Sequence, residues 1–266
     1  MTVPARGSLR ICWNNYAQPN ALIVGQGSSS VLSLPKANML DDDIQKIWRS
    51  ASPATEEWLF TADLGAVRPI GIVALINANG FSPATYSIRI STSDTTGGDG
   101  NAHIADDLPG IPSATYNKFV HLIEPAASGR YVKVSEVDVV DQPEVGRLVI
   151  GDVWVPSRHM SFGREFLIRD PSVHAFSIGR NKFTDVKPRA RGWRFRLHGV
   201  TTAEVHEQVE PMNLAVGTSL DIFVCWNAES TNLARDSVWG TMEEPARATQ
   251  PNPDFWTVEF EIWERT

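Results

Sequence analysis

Trp193-Arg194-Phe195-Arg196-Leu197 is the stretch on which the fold class turns. Its apolar side chains recur at every second position and its two arginines fill the positions between, the period of a strand with one face in a core and the other in water. The same alternation runs through Tyr86-Ser87-Ile88-Arg89-Ile90 and through Trp256-Thr257-Val258-Glu259-Phe260-Glu261-Ile262. If the first and last of these strands share a sheet, Arg194 and Arg196 can face Glu259 and Glu261 across it and help set the register. Two further runs, Ile70 to Ile76 and Leu148 to Val155, are apolar on both faces and are expected in central positions of a sheet. Seventeen prolines and 19 glycines are scattered along the chain and punctuate such runs, of which there are roughly a dozen. Helix signals are short: Thr201-x-x-Glu204 has capping-box spacing ahead of Ala203 to Val209, and Asp41 to Trp48 has one or two turns of helical periodicity. The chain is read as all-β.

With 266 residues, 42% of them hydrophobic and 21% charged, the chain can bury a sizeable core. Its 31 acidic and 24 basic residues leave a net charge of -7. That balance gives no global pull toward phosphate backbones or anionic membranes, so nucleic acid is not an expected partner. No apolar stretch approaches the roughly 20 residues of a membrane helix, and none near the first residue resembles the core of a secretion signal, so membrane insertion is not expected. Two cysteines, Cys12 and Cys225, are too few for a disulfide framework and point to synthesis in a reducing compartment. They sit in matching tetrads, Ile11-Cys12-Trp13-Asn14 and Val224-Cys225-Trp226-Asn227, which read either as a duplicated strand or as two unrelated strands with an inward-facing cysteine.

The clearest break in the pattern is Val155-Pro156-Ser157-Arg158-His159, where an apolar strand gives way to a polar segment. It divides the chain into residues 1–157 and 158–266, and the first part, cut after Pro156, is expected to fold alone. Within it, Leu34-Pro35-Lys36-Ala37-Asn38-Met39-Leu40-Asp41 precedes Trp48-Arg49-Ser50, Trp58-Leu59, Asp63-Leu64-Gly65, the Ile70 to Ile76 run and Gly129-Arg130-Tyr131-Val132-Lys133-Val134. In order and spacing, residues 20 to 140 resemble the discoidin, or galactose-binding-like, family. The resemblance implies an antiparallel β-sandwich (jelly roll), followed here by a second, smaller β-rich domain that would make assembly contacts. With the opening strand Leu9 to Asn15, the Gly146 to Pro156 segment and the second β region, the arrangement is similar to discoidin-containing proteins of the tail tip or baseplate of tailed bacteriophages.

The candidate residues admit two readings each. Trp48 and Trp58 bring large apolar area to the sandwich core, with Trp48 alternatively facing a sugar, and each indole N–H needs a partner if buried. The candidate glycan-binding set is Trp48, Arg49, Asn79 and Phe81. Asp63-Leu64-Gly65 reads as a turn, with Asp accepting from nearby backbone N–H groups and Gly free to take positive φ. Asp41, Asp42 and Asp43 could offer hard oxygen ligands, and the resemblance puts a calcium-binding Asp at Asp41, although Asp42 stands where relatives have Gly. A solvated turn or helix start accounts for the three carboxylates equally. Gly97-Gly98-Asp99-Gly100 lacks the Lys-Ser/Thr of a phosphate loop and reads as a flexible loop. The six histidines have no ligand spacing and no catalytic motif is present, so neither an enzyme nor a cofactor is expected.

Two function classes follow. The first is a non-enzymatic structural virion protein of a phage tail tip or baseplate, made in the host bacterial cytoplasm. It would be homo-oligomeric, bind other tail proteins and touch a host-surface polysaccharide. The second is a carbohydrate-binding module or adhesin that recognises a cell-surface polysaccharide.

Overall fold

A computed structural model describes residues 9–18, 22–24, 30–51, 56–81, 83–112, 114–137, 141–161, 163–177 and 180–265, with backbone alone at 22–24 and 56–58. The side chain of Trp58 therefore lies outside the described residues. The chain is all-β, as the alternation predicts, and forms two compact units. The larger holds Arg10–Val155 and takes back Phe223–Ser237; the smaller holds Leu9 and residues 156–222 and 238–265. No helix among the described residues is long and apolar enough to cross a membrane.

The larger unit contains β1 (Arg10–Cys12), β2 (Leu22–Val24), β3 (Trp48–Arg49), β4 (Glu56–Ile76), β5 (Thr85–Ser91), β6 (His103–Pro109), β7 (Lys118–Val137), β8 (Glu144–Val145) and β9 (Arg147–Gly151). Two very long strands shape it. The first half of β4 lies between β2 and the second half of β7, which continues to β5 and β6. The second half of β4 lies between the first half of β7 and β9. All these pairs are antiparallel, and the register of β4 on β7 breaks between Asp63 and Arg68. The two resulting layers share one core, with Phe60, Ile88, Ile90, Val132 and Val134 from one and Val73, Leu75, Phe119, Leu148 and Ile150 from the other. Ile70 to Ile76 is central and buried on both faces, as its unbroken apolarity predicts.

Asp63-Leu64-Gly65 marks the break in register. Gly65 has φ +75°, its N–H donates to Asp63 Oδ1 at 2.8 Å, and the strand runs on through the bend. Asp63 also accepts a two-pronged bond from Arg130, Nε to Oδ1 at 2.7 Å and Nη2 to Oδ2 at 2.9 Å. The guanidinium holds the Asp63 carboxyl below its usual range. Two separate pieces of the sequence pattern thus meet in one ion pair across the bend. The segment Asp94 to Gly100 is a hydrogen-bonded turn in which Asp94 accepts from the N–H groups of Thr96 and Asp99.

Cys12 and Cys225 lie on neighbouring strands, because β1 pairs antiparallel with residues 223–225 of β14 (Asp221–Cys225), with Ile11 opposite Val224. Both thiols are free and buried, and burial pushes them up, to about 12 and about 11.

The smaller unit contains β10 (Glu165–Arg169), the hairpin of β11 (Val173–Phe176) and β12 (Lys182–Asp185), and β13 (Ala190–Thr201). Beyond a helical segment come β15 (Ser237–Met242), β16 (Arg247–Thr249) and β17 (Phe255–Glu264). The order is β15-β17-β13-β10, with β16 also on β17. The expected pairing across β13 and β17 is present: Arg194 lies opposite Glu261, Arg196 opposite Glu259, and both are ion-paired. The other face of these strands buries Trp193, Phe195, Leu197, Val258, Phe260 and Ile262. The capping box forms as read, Glu204 N–H donating to Thr201 Oγ1 at 3.2 Å and Thr201 N–H to Glu204 Oε2 at 3.0 Å. The helix it opens runs through a π turn to Ala215 and buries Val205, Val209 and Met212, spaced four and three residues apart.

Candidate functional site

Three polar loops of the larger unit meet where β4 ends, built from residues 36–50, 77–81 and 141–147. The first opens with a 3-10 turn at Lys36–Leu40 and not with the helix expected over Asp41 to Trp48. Asp41 Oδ1 accepts the N–H of Asp43 at 3.0 Å, and Asp43 Oδ1 accepts that of Gln45 at 3.1 Å. These side-chain bonds hold a turn that competes with helix. Asn38 Nδ2 donates to Ile47 C=O at 2.8 Å and closes the loop.

The same geometry gives Asp41 another partner. Lys46 Nζ sits 2.7 Å from Asp41 Oδ2, and this contact holds the Asp41 carboxyl below its usual range. Asp42 faces Arg147 at 2.8 Å and Asp43 closes its own turn, so the three carboxylates diverge. Among the described residues no group of three His, Cys, Asp or Glu side chains could hold a metal ion.

The four glycan candidates separate. Trp48 has no exposed surface, and its indole N–H donates to Ser30 Oγ at 3.0 Å. A ring with no open face cannot stack on a sugar, so Trp48 is a core residue, and the sequence could not distinguish the two because both uses need the same large apolar ring. Arg49 and Asn79 both converge on Glu144. Arg49 lies opposite Glu144 in the β3–β8 pair and makes an ion pair with it. Asn79 Oδ1 accepts the N–H of Glu144 at 2.7 Å, and its Nδ2 donates to Gln142 C=O at 2.9 Å. The Asn79 amide is thereby spent on the backbone and fixes where Glu144 sits. The side chains of Arg49 and Glu144 are 38% and 26% exposed, with Arg49 Nε itself buried. Two residues beyond Asn79, Phe81 is half-buried against the core cluster, its main chain bridged to Ile111.

Sequence reasoning missed Glu144 and Arg147. Glu144 is tied to Arg49 only by strand register, and Arg147, a charged residue, is buried to 1% exposure.

A second polar feature lies in the same unit. A cavity of about 340 Å³ is lined by Ile111, Phe119, His121, Ser230 and Asn232 among others. His121 Nε2 lies 3.3 Å from His103 Nε2. Burial, reinforced by His103, pushes His121 down to about 4, and burial lowers His103 as well. The folded state therefore refuses a proton that the unfolded chain takes up near pH 6.5, so stability is fully present above pH 6.5 and falls as the pH drops toward 4. His121 alone is expected to cost roughly 1 kcal/mol at pH 5.5, from a pKa difference of that size. Thermal melts at pH 7.5 and 5.5 check this, since His121→Gln should flatten the difference. A wild-type melting temperature unchanged between the two pH values would contradict it.

No protein-family model and no curated protein matches the chain. Solved structures similar to it over about half its length include a Streptococcus pneumoniae fucose binding module, at 11% identity over 52% of this chain and 94% of that one, with a TM-score of 0.38. Chitosan-binding module 1 of a chitosanase/glucanase from Paenibacillus sp. IK-5 matches at 15% identity over 52% of this chain and 99% of that one, with a TM-score of 0.41. SpGH29 matches at 11% identity over 53% of this chain, with a TM-score of 0.41, and the match spans only 28% of SpGH29. The fold stands on the strands and registers described above.

Proposed function

We propose that the chain is a non-catalytic glycan-binding protein whose larger unit is a β-sandwich carbohydrate-binding module. The observation that carries this reading is the ion pair Arg49–Glu144, fixed by Asn79 and partly exposed, with the half-buried ring of Phe81 two residues beyond Asn79 on the same loop. A guanidinium and a carboxylate held side by side offer fixed donors and acceptors to vicinal hydroxyls, and an aromatic edge offers an apolar contact to the C–H groups of a pyranose ring. Arg49 and Glu144 are the binding groups, Phe81 the apolar contact and Asn79 a positioning residue.

Isothermal titration with fucosylated and chitosan oligosaccharides tests it. Binding by the wild-type chain and its loss in Arg49→Ala and Phe81→Ala, with the melting temperature kept, are expected. Affinity unchanged in both variants would refute the site.

A structural role in the tail tip or baseplate of a tailed bacteriophage is a second reading, favoured by one feature of the smaller unit. The β11–β12 hairpin is exposed on both faces and carries Val173, Phe176 and Phe183 at 60%, 70% and 60% exposure. An isolated two-stranded hairpin is marginal in water, and apolar residues on it suit burial against another chain. Rings of the purified protein in negative-stain electron microscopy are the expected result under this reading.

A further inference from the structure

The edge of the smaller unit's sheet is strand β10, Glu165-Phe166-Leu167-Ile168-Arg169. It pairs with β13 on one side, and among the described residues no strand pairs with its other side. In an antiparallel pair alternate residues turn their N–H and C=O groups to each side, so this free edge offers a row of unpaired backbone donors and acceptors. Natural sheets commonly blunt such an edge with charged side chains, proline, a bulge or a covering element. Here the two charges are opposite in sign and symmetrically placed about Leu167.

The faces are equally informative. Phe166 lies opposite Trp193 and Ile168 opposite Arg191, on the face of β13 that carries Phe195 and Leu197 into the core. The Phe166 ring meets Trp193 edge-on at 5.5 Å, yet Phe166 is 57% and Ile168 61% exposed. The core face of the sheet therefore runs out to its last strand without cover. On the other face a charge ladder crosses the strands, because Arg194 is paired with both Glu261 and Glu165, at 2.6 Å and 3.2 Å. The ladder ends on a negative charge.

We propose that β10 pairs antiparallel with β10 of a second copy of this chain, about a two-fold axis through Leu167. This register sets Glu165 opposite the second copy's Arg169, Phe166 opposite its Ile168, and Leu167 opposite its own equivalent. The exposed Phe166 and Ile168 of both copies then form one apolar cluster continuous with Trp193. The arginine of the second copy extends the ladder Glu261–Arg194–Glu165 with the positive charge that alternation calls for. A two-fold interface is isologous, and this five-residue strand is self-complementary in charge and in hydrophobicity under that operation. The proposal concerns the smaller unit and holds whether or not the larger unit binds a glycan.

The full-length chain tests it. Sedimentation velocity over a concentration series is expected to show a monomer–dimer equilibrium that Ile168→Lys shifts at least tenfold toward monomer. Leu167→Cys should form a disulfide-linked dimer on mild oxidation, because a residue on the axis faces its own copy at a Cα separation of about 4.5 to 5.5 Å, within disulfide range. Ser172→Cys, off the axis, should not. Cys12 and Cys225 are buried and do not confound the readout. A monomer at every concentration, or a Leu167→Cys chain that cross-links no faster than Ser172→Cys, would overturn the proposal. A dimer that persists in Ile168→Lys would overturn it as well.

Discussion

Phe195→Ala is expected to destabilise the smaller unit by about 3 to 5 kcal/mol, while Arg194→Ala, its neighbour in sequence, leaves stability nearly unchanged. Phe195 is 3% exposed and its ring stacks on Phe260 with centroids 5.0 Å apart. Truncation removes the transfer free energy of the ring and leaves a cavity that two sheet strands cannot close. Arg194, one residue along, points to the opposite face, with its side chain 49% exposed and its pair with Glu261 screened by water. Chemical denaturation of the two variants measures the contrast. Equal losses, or a larger loss for Arg194→Ala, would mean that the faces of β13 are inverted or that Arg194 is covered by a partner.

Arg147→Ala is the second large effect, expected at about 2 to 5 kcal/mol from the space left by a fully buried long side chain. The guanidinium is 1% exposed and lies 2.8 Å from Asp42. Removing it opens a space the length of an arginine stem and leaves Asp42, whose side chain is 34% exposed, without its cation. Lys46→Ala removes a cation from the same loop but at its surface, where Lys46 is 52% exposed, and should hardly change the melting temperature. A melting temperature for Arg147→Ala within a degree of wild type would contradict the reading of Arg147 as the pin that holds residues 36–50 against β9.

The parts of this fold that the sequence disclosed are those governed by local period. The strands Trp193 to Leu197 and Trp256 to Ile262 and the facing Arg and Glu residues follow from two-residue alternation, and the capping box at Thr201 follows from one spacing. What escaped depends on pairing between distant residues. Asp63-Leu64-Gly65 satisfies every local requirement of a turn, and it takes the register of β7 to show that β4 bends and continues through it. The return of Phe223–Ser237 to the larger unit, with β1 against β14, spans more than two hundred residues and leaves only the repeated tetrad as a trace. At Asp41 to Trp48, periodicity pointed to a helix, but Asp41 and Asp43 bond to backbone N–H groups two residues on and hold a turn.

The candidate site was legible in the same measure. Arg49, Asn79 and Phe81 were named from their place in loops, and the first two do converge. Of the two readings of Trp48 the core one holds, which hydrophobicity alone does not decide because it does not say which face of a ring is open, and Glu144 is invisible in sequence because its partnership with Arg49 exists only across the β3–β8 pair. Arg147 shows the opposite failing, a charge that reads as surface and is buried among loops that neutralise it.

The central claim is that a glycan binds at the Arg49–Glu144 pair, and backbone amide chemical shifts recorded during titration with a saccharide ligand test it most directly. The account predicts shifts concentrated at Arg49, Asn79 to Phe81 and Gln142 to Gly146, with the amides of β13 and β17 unmoved. Saturable shifts confined to other residues, or none with any saccharide that the chain binds, would contradict it.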